Sequence, residues 1–152
     1  MKFLCDEMLG RLARYLRAAG YDTALAENGE TDAALLRRAH DEGRRFLTCD
    51  RLVFEHKAAQ GVALLLPAGD LDILAKALRE RAGVDWLHRP FTRCLVDNAV
   101  LAAAGGEHAE RLPGNVPLRQ ALHCPQCGRV YWAGSHHRRM RARLLRWAGP
   151  SG

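Results

Sequence analysis

The sequence predicts an α/β protein: a three-layer α/β/α sandwich around a parallel sheet, followed by a small metal-binding module and a basic helix. Three observations carry that prediction. Short apolar runs alternate with amphipathic helical stripes as far as Gly83, the pattern of successive βαβ units whose right-handed crossovers put helices on both faces of one sheet. Two of those runs end in an aspartate, Asp6 and Asp50, where open parallel sheets carry their ligands. Beyond residue 90 the pattern gives way to short runs broken by Gly and Pro, with Cys94, Cys124 and Cys127 among them.

The first strand is residues 2–5, a buried run that leads into Asp6-Glu7. A helix follows, with Leu9, Leu12, Ala13, Leu16 and Ala19 as its apolar stripe. Arg11, Arg14 and Arg17 are expected on its other faces, and Gly20 stops it. Residues 21–26 read as a weak strand. Thr31-Asp32 opens a second helix that ends at Gly43, with Leu35, Leu36 and Ala39 facing inward. Residues 46–49 form the next strand and lead into Asp50-Arg51; residues 51–59 look helical, with Gly61 after them. Residues 62–66, the most apolar run, read as a fully buried strand. Residues 70–81 are a helix with Leu71, Leu74, Ala75 and Leu78 as its core stripe, closed by Gly83. A boundary near residues 83–90 divides a body, residues 1–85, from a C-terminal unit, residues 90–152.

Composition narrows the function. The chain has 152 residues and is 48% hydrophobic, with no stretch near the ~20 apolar residues of a membrane span. Lys2, Asp6 and Glu7 interrupt what a secretory leader would need as its apolar core. Five cysteines, an odd number that includes a Cys-x-x-Cys pair, suit a reducing cytoplasm and a metal site better than a disulfide framework. Charge is uneven. Residues 1–110 hold all 17 acids and 15 of the 23 Lys and Arg; residues 111–152 hold eight arginines and no acid. A cationic segment on a nearly neutral body fits a polyanion partner such as RNA, although a solvated tail has the same composition.

Asp6, Asp50 and Asp32 all fall at the edge of the sheet where strands end and helices begin, with Glu7 close behind. Carboxylates gathered there repel unless a cation lies between them, and oxygen donors suit Mg²⁺ or Mn²⁺. One or two such ions can activate water and stabilise a leaving oxygen in phosphodiester hydrolysis. Asp32 and Glu30 also read as ordinary helix-start and turn residues, and Asp22 as a turn former. Asp70 is either a fourth acid or a helix cap. Cys5 and Cys49, each one residue before a key aspartate, should point into the core. Arg11, Arg14 and Arg51, near the strand ends, could bind phosphates or be merely solvated.

His123-Cys124-Pro125-Gln126-Cys127-Gly128 is a metal knuckle: two thiolates one turn apart, then a glycine free to turn left-handed. A redox Cys-x-x-Cys belongs at a helix start inside a parallel sheet, so zinc is favoured here. Cys94 is the third ligand, and Cys94-x-x-Asp97 mirrors the knuckle with Asp97 as fourth; His108, His123, His136 or His137 could take that place. Tyr131 and Trp132 run into Arg138, Arg139 and Arg141, a mix that can stack bases and neutralise phosphates. Met140, Leu144 and Leu145 should pin this last helix to the body.

The opening from Lys2 to Arg17, then Gly20-Tyr21-Asp22-Thr23, Leu47-Thr48-Cys49-Asp50-Arg51, Arg93-Cys94 and the segment from Cys124 to His136 together resemble the Mut-seven C-terminal ribonuclease family. The resemblance covers nearly the whole chain. It implies a PIN-like nuclease domain followed by a zinc ribbon, and a metal-dependent ribonuclease whose acids are Asp6, Asp32 and Asp50. One departure is clear, since Asp97 stands where the family has a second cysteine.

Two other functions compete. A non-catalytic RNA-binding adaptor would use the ribbon and the arginines, with the acids a vestige. A response-regulator receiver would need a Ser or Thr after the strand at 62–66 and a Lys-Pro after a fifth strand, and the sequence has neither.

Overall fold

The computed structural model describes residues 1–149, so the last three positions of the expected C-terminal unit lie outside the described residues. Four parallel strands, β1 (Lys2–Cys5), β2 (Asp22–Leu25), β3 (Arg45–Thr48) and β4 (Ala63–Leu65), form a sheet in the order β2-β1-β3-β4. Alternation along β1 sends Phe3 and Cys5 to one face and Leu4 to the other. The first face is covered by α1 (Gly10–Ala18), α3 (Leu71–Ala82) and α4 (Ser135–Ala148), the second by α2 (Asp32–Glu42) with two short 3₁₀ turns, Arg51–Glu55 and Lys57–Ala59. Among the described residues no helix is long and apolar enough to cross a membrane.

Local chemistry sets the element ends. Thr31 Oγ1 accepts the Ala34 N–H at the start of α2, and Asp70 Oδ1 accepts the Ile73 N–H at the start of α3. Such caps are worth ~1 kcal/mol each. Gly43 and Gly83 close the two helices in the left-handed conformation. Gly20 is needed for a different reason: at φ +100° a Cβ there would stand 2.4 Å from the Arg89 carbonyl oxygen. The chain at Arg89–Phe91 is strapped against the end of α1 through Arg89 N–H to Ala19 O and Phe91 N–H to Ala18 O.

Four expectations are corrected. The run at 62–66 is not fully buried; β4 is an edge strand with Leu64 and Leu65 half-exposed. Residues 51–59 form two 3₁₀ turns rather than a continuous helix, broken at His56 in extended backbone. Leu145 is exposed, and Trp147, two residues on, is buried instead. Arg17 does not face solvent. It is 7% exposed and donates to the carbonyls of Thr23, Leu95 and Val96.

Arg17 is buried because the C-terminal segment covers that side of α1. Three short strands, β5 (Ala102–Ala103), β6 (Leu122–His123) and β7 (Val130–Tyr131), make a small antiparallel sheet. The segment before it docks on the edge strand β2: Asn98 Oδ1 accepts the Thr23 N–H, and Asn98 Nδ2 donates to Asp22 Oδ1. The helical-face core runs on through Val84, Trp86, Leu95, Met140, Leu144 and Trp147. Trp147 meets Tyr15 and Trp86 edge-on at 4.8 and 5.0 Å, contacts worth ~0.5–1.5 kcal/mol each beyond the area buried.

Candidate functional site

Beyond the carboxyl ends of the strands lies a cleft of about 660 Å³. Asp6 follows β1, Asp50 follows β3, and Asp32 opens α2; all three line the cleft with Glu7, Glu27 and Glu30. Asp6 is set by its own turn: its N–H donates to Leu47 O on the neighbouring strand, and its Oδ1 accepts the Met8 N–H at 3.2 Å. Asp50 is set the same way, with Oδ1 accepting the Leu52 N–H at 2.9 Å.

Thr48 joins the two. It is fully buried at the end of β3, its hydroxyl donates to Asp6 Oδ2 at 3.0 Å, and its Oγ1 accepts the Asp50 N–H at 3.0 Å. Sequence reasoning passed over it as strand filler. A hydroxyl inside an otherwise apolar strand, one step from the edge where acids gather, was the available signal.

Among the described residues no Lys, Arg or His forms an ion pair with Asp6, Glu7, Asp32 or Asp50, whereas Glu30 is paired with Arg38 at 3.3 Å. Asp22 is a buttress, held by Arg44 at 2.8 Å and by Asn98, and Asp70 caps α3 without reaching the cleft. Cys5 is buried as expected, and burial pushes its thiol up to about 12. Cys49 is not: β3 ends at Thr48, the strand alternation stops there, and Cys49 is exposed in the cleft wall. The carboxylates of Asp6, Glu7, Asp32 and Asp50 are oxygen donors without a cationic partner among the described residues, a set that fits a hard divalent cation.

A second cluster lies on the C-terminal segment. The ligand atoms of Cys94, Asp97, Cys124 and Cys127 all lie within 4.8 Å of one another, the one such gathering of His, Cys, Asp or Glu among the described residues. Two matching knuckles build it. In one, the Gly128 N–H donates to Cys124 O and the Cys124 N–H to Arg129 O; in the other, the Asn98 N–H donates to Cys94 O and the Cys94 N–H to Ala99 O. Gly128 at φ +81° and Asn98 at φ +75° occupy the same left-handed place. Cys94 Sγ and Cys127 Sγ are 3.8 Å apart, the edge of a tetrahedron with ~2.3 Å metal–sulfur bonds. Cys124 Sγ lies 3.1 Å from Asp97 Oδ2. Burial raises the Asp97 carboxyl, but the Ala99 N–H and the surrounding thiols outweigh it and hold the group down at about 2. Three thiols and a carboxylate at these spacings fit a closed zinc site. The four histidines considered in the sequence are not part of the set; His108 and His123 stack on each other nearby at 4.3 Å.

A family profile, the Mut7-C RNAse domain, matches residues 1–144. The chain belongs to the Mut7-C RNAse domain family. Membership indicates a ribonuclease-related role, and the matched span takes in both the acidic cleft and the cysteine cluster. Comparison with curated proteins and with solved structures gives no match. The candidate phosphate-binding arginines are spread along the Mut7-C chain. Arg11 and Arg14 are exposed on α1, Arg51 beside the cleft, and Arg138, Arg139 and Arg141 on the first half of α4.

Proposed function

We propose that this Mut7-C chain is a PIN-like, Mg²⁺- or Mn²⁺-dependent ribonuclease with a structural zinc ribbon. The observation that carries the reading is the convergence of Asp6, Asp32 and Asp50, none with a cationic partner among the described residues, in the cleft of a chain that belongs to an RNAse family. These three would hold the catalytic cation, with Glu7 at the rim. Such a cation, when bound, supplies neutralising charge for the phosphate and lowers the pKa of water at the site.

The chain's own residues do the positioning. The Thr48 hydroxyl donates to one oxygen of Asp6 and holds that carboxylate in place. Backbone N–H groups of Met8 and Leu52 fix the rotamers of Asp6 and Asp50, which lowers the reorganisation needed when the phosphodiester arrives. Arg11, Arg14 and Arg51, all exposed, would bind backbone phosphates of the RNA. The arginines of α4 extend that positive surface. Cys94, Asp97, Cys124 and Cys127 would hold the zinc that keeps the ribbon docked on β2.

A non-catalytic RNA-binding adaptor is the competing reading. It draws on the tight gathering of the cysteine cluster, which the cleft acids do not match. Omission and re-addition of divalent cation separates the two: the nuclease reading predicts RNA cleavage that stops without Mg²⁺ or Mn²⁺ and returns with either. Intact RNA under every metal condition, bound with a steep salt dependence, supports the adaptor.

A further inference from the structure

A second cavity, of about 290 Å³, opens between the small sheet and the first turn of α4. Its walls are apolar and aromatic: Phe91, Leu101, Trp132, His137 and Met140, with Arg93 among them. Phe91 is held at φ +59°, a backbone conformation uncommon for a bulky residue and found where a site needs a side chain aimed. Its ring lies 3.9 Å from His137, and His137 Nδ1 is buried with no hydrogen-bond partner in the chain. Trp132 reaches the cavity because Gly134 has no Cβ, which would stand 2.9 Å from the indole nitrogen. The acidic cleft is at the other edge of the sheet, since Phe91 bonds to Ala18 at the far end of α1.

We propose that this cavity binds one unpaired nucleobase of an RNA strand and so anchors the strand away from the cleft. The proposal rests on the RNA reading given above and adds the substrate class, single-stranded RNA. The volume sits at the small end of ligand pockets, ~300–1,000 Å³, enough for one planar ring. Aromatic faces supply stacking, which every base accepts. Arg93, whose Nε and Nη1 donate to Gly20 O and Asn98 O, keeps Nη2 for a polar contact with the edge of the base. Charge selects the strand over a neutral aromatic ligand: no acid occurs from residue 111 onward.

The helix α4 gives the strand its path. It starts at the cavity, and its far end returns to the cleft side, where Arg146 and Trp147 both bond to Asp72 in the first turn of α3. Its 14 residues span ~21 Å. On the way Arg143 lies over the Tyr15 ring, 5.6 Å from its centre, next to the exposed Arg14 of α1. A strand held by its base at the cavity would thus run along arginines of α4 and α1 toward Asp6.

The test is equilibrium binding of a fluorescein-labelled RNA dodecamer, as single strand and as duplex, to the full chain without added Mg²⁺ or Mn²⁺. Wild type is compared with Trp132→Ala and with Leu101→Trp, which fills the cavity from its opposite wall. Both variants should lose about tenfold in affinity for the single strand, the scale of one base–aromatic stack, with duplex affinity and salt slope unchanged. Arg139→Ala should instead lower the salt slope by about 0.7. Thermal unfolding checks each variant; if Trp132→Ala unfolds early, Leu101→Trp decides. Single-strand affinity equal to wild type in the folded variants overturns the pocket, and Mn²⁺-dependent cleavage by the same wild-type preparation would show that the nuclease reading survives it. A wild type that binds no single strand overturns both.

Discussion

The Thr48 hydroxyl sits 3.0 Å from Asp6 Oδ2 and ties the end of β3 to the first acid of the cleft. Because Thr48 Oγ1 also accepts the Asp50 N–H, one buried side chain holds the Asp6 carboxylate and the backbone at Asp50. This makes Thr48 the residue on which the geometry of the acid pair depends. Thr48→Val keeps the shape and removes both bonds, leaving the Asp50 N–H without its partner. The expected result is a loss of ~1–3 kcal/mol in stability and a fall in RNA cleavage of tenfold or more, with RNA affinity unchanged; Thr48→Ser should restore most of both. Urea unfolding and single-turnover cleavage check this.

Arg17 is the staple between α1 and the C-terminal segment. Its guanidinium donates to Thr23 O at 2.9 Å, Leu95 O at 3.0 Å and Val96 O at 2.9 Å. Arg17→Ala leaves three carbonyls short of a donor, and ~3 kcal/mol or more of stability should go with it. Arg17→Lys should rescue little, because an ammonium cannot reproduce the fork. The urea midpoint of each variant measures the effect.

These two residues mark where sequence and structure part. The order of the strands, the helix stops and the three cluster cysteines were legible, because each rests on a local rule: an apolar run, a turn residue, a ligand spacing. The gathering of Asp6, Asp32 and Asp50 followed from topology, since consecutive parallel strands share one carboxyl edge. Arg17 was misread because a helical stripe shows which face is apolar but not which polar position a later segment will cover. Cys49 was misread because alternation holds only while the strand lasts, and β3 stops one residue earlier. Leu145 and Trp147 are two steps apart on α4, and a single-helix pattern does not say which of them meets Trp86.

Asp97 is the one carboxylate in the cysteine cluster. Asp97→Ala removes one donor of four, and also the oxygen 3.1 Å from Cys124 Sγ. Zinc content of the purified chain should fall and its thermal midpoint drop. Asp97→Cys should keep full zinc and release it more slowly to a chelator. Equal zinc retention by Asp97→Ala and wild type would remove Asp97 from the ligand set.

The docking of the C-terminal segment should weaken in acid. Burial raises the Asp22 carboxyl, but the hydrogen bonds from Asn98 and Arg44 and the charge of Arg44 outweigh it and hold the group below its ordinary value of 3.8. A group depressed in the folded state stabilises above its unfolded pKa, and that contribution is lost as pH falls through the folded value. Stability should therefore decline as pH drops below about 4, and less so in Asp22→Asn. Urea midpoints across that range test the sign.

The most direct measurement is cleavage of end-labelled RNA by wild type and Asp6→Asn, each with and without Mn²⁺. The account predicts discrete shorter products with wild type in Mn²⁺, and intact RNA in the other three reactions. Equal cleavage by Asp6→Asn, or cleavage that ignores the metal, would contradict it, because the acid held by Thr48 would then have no part in the reaction.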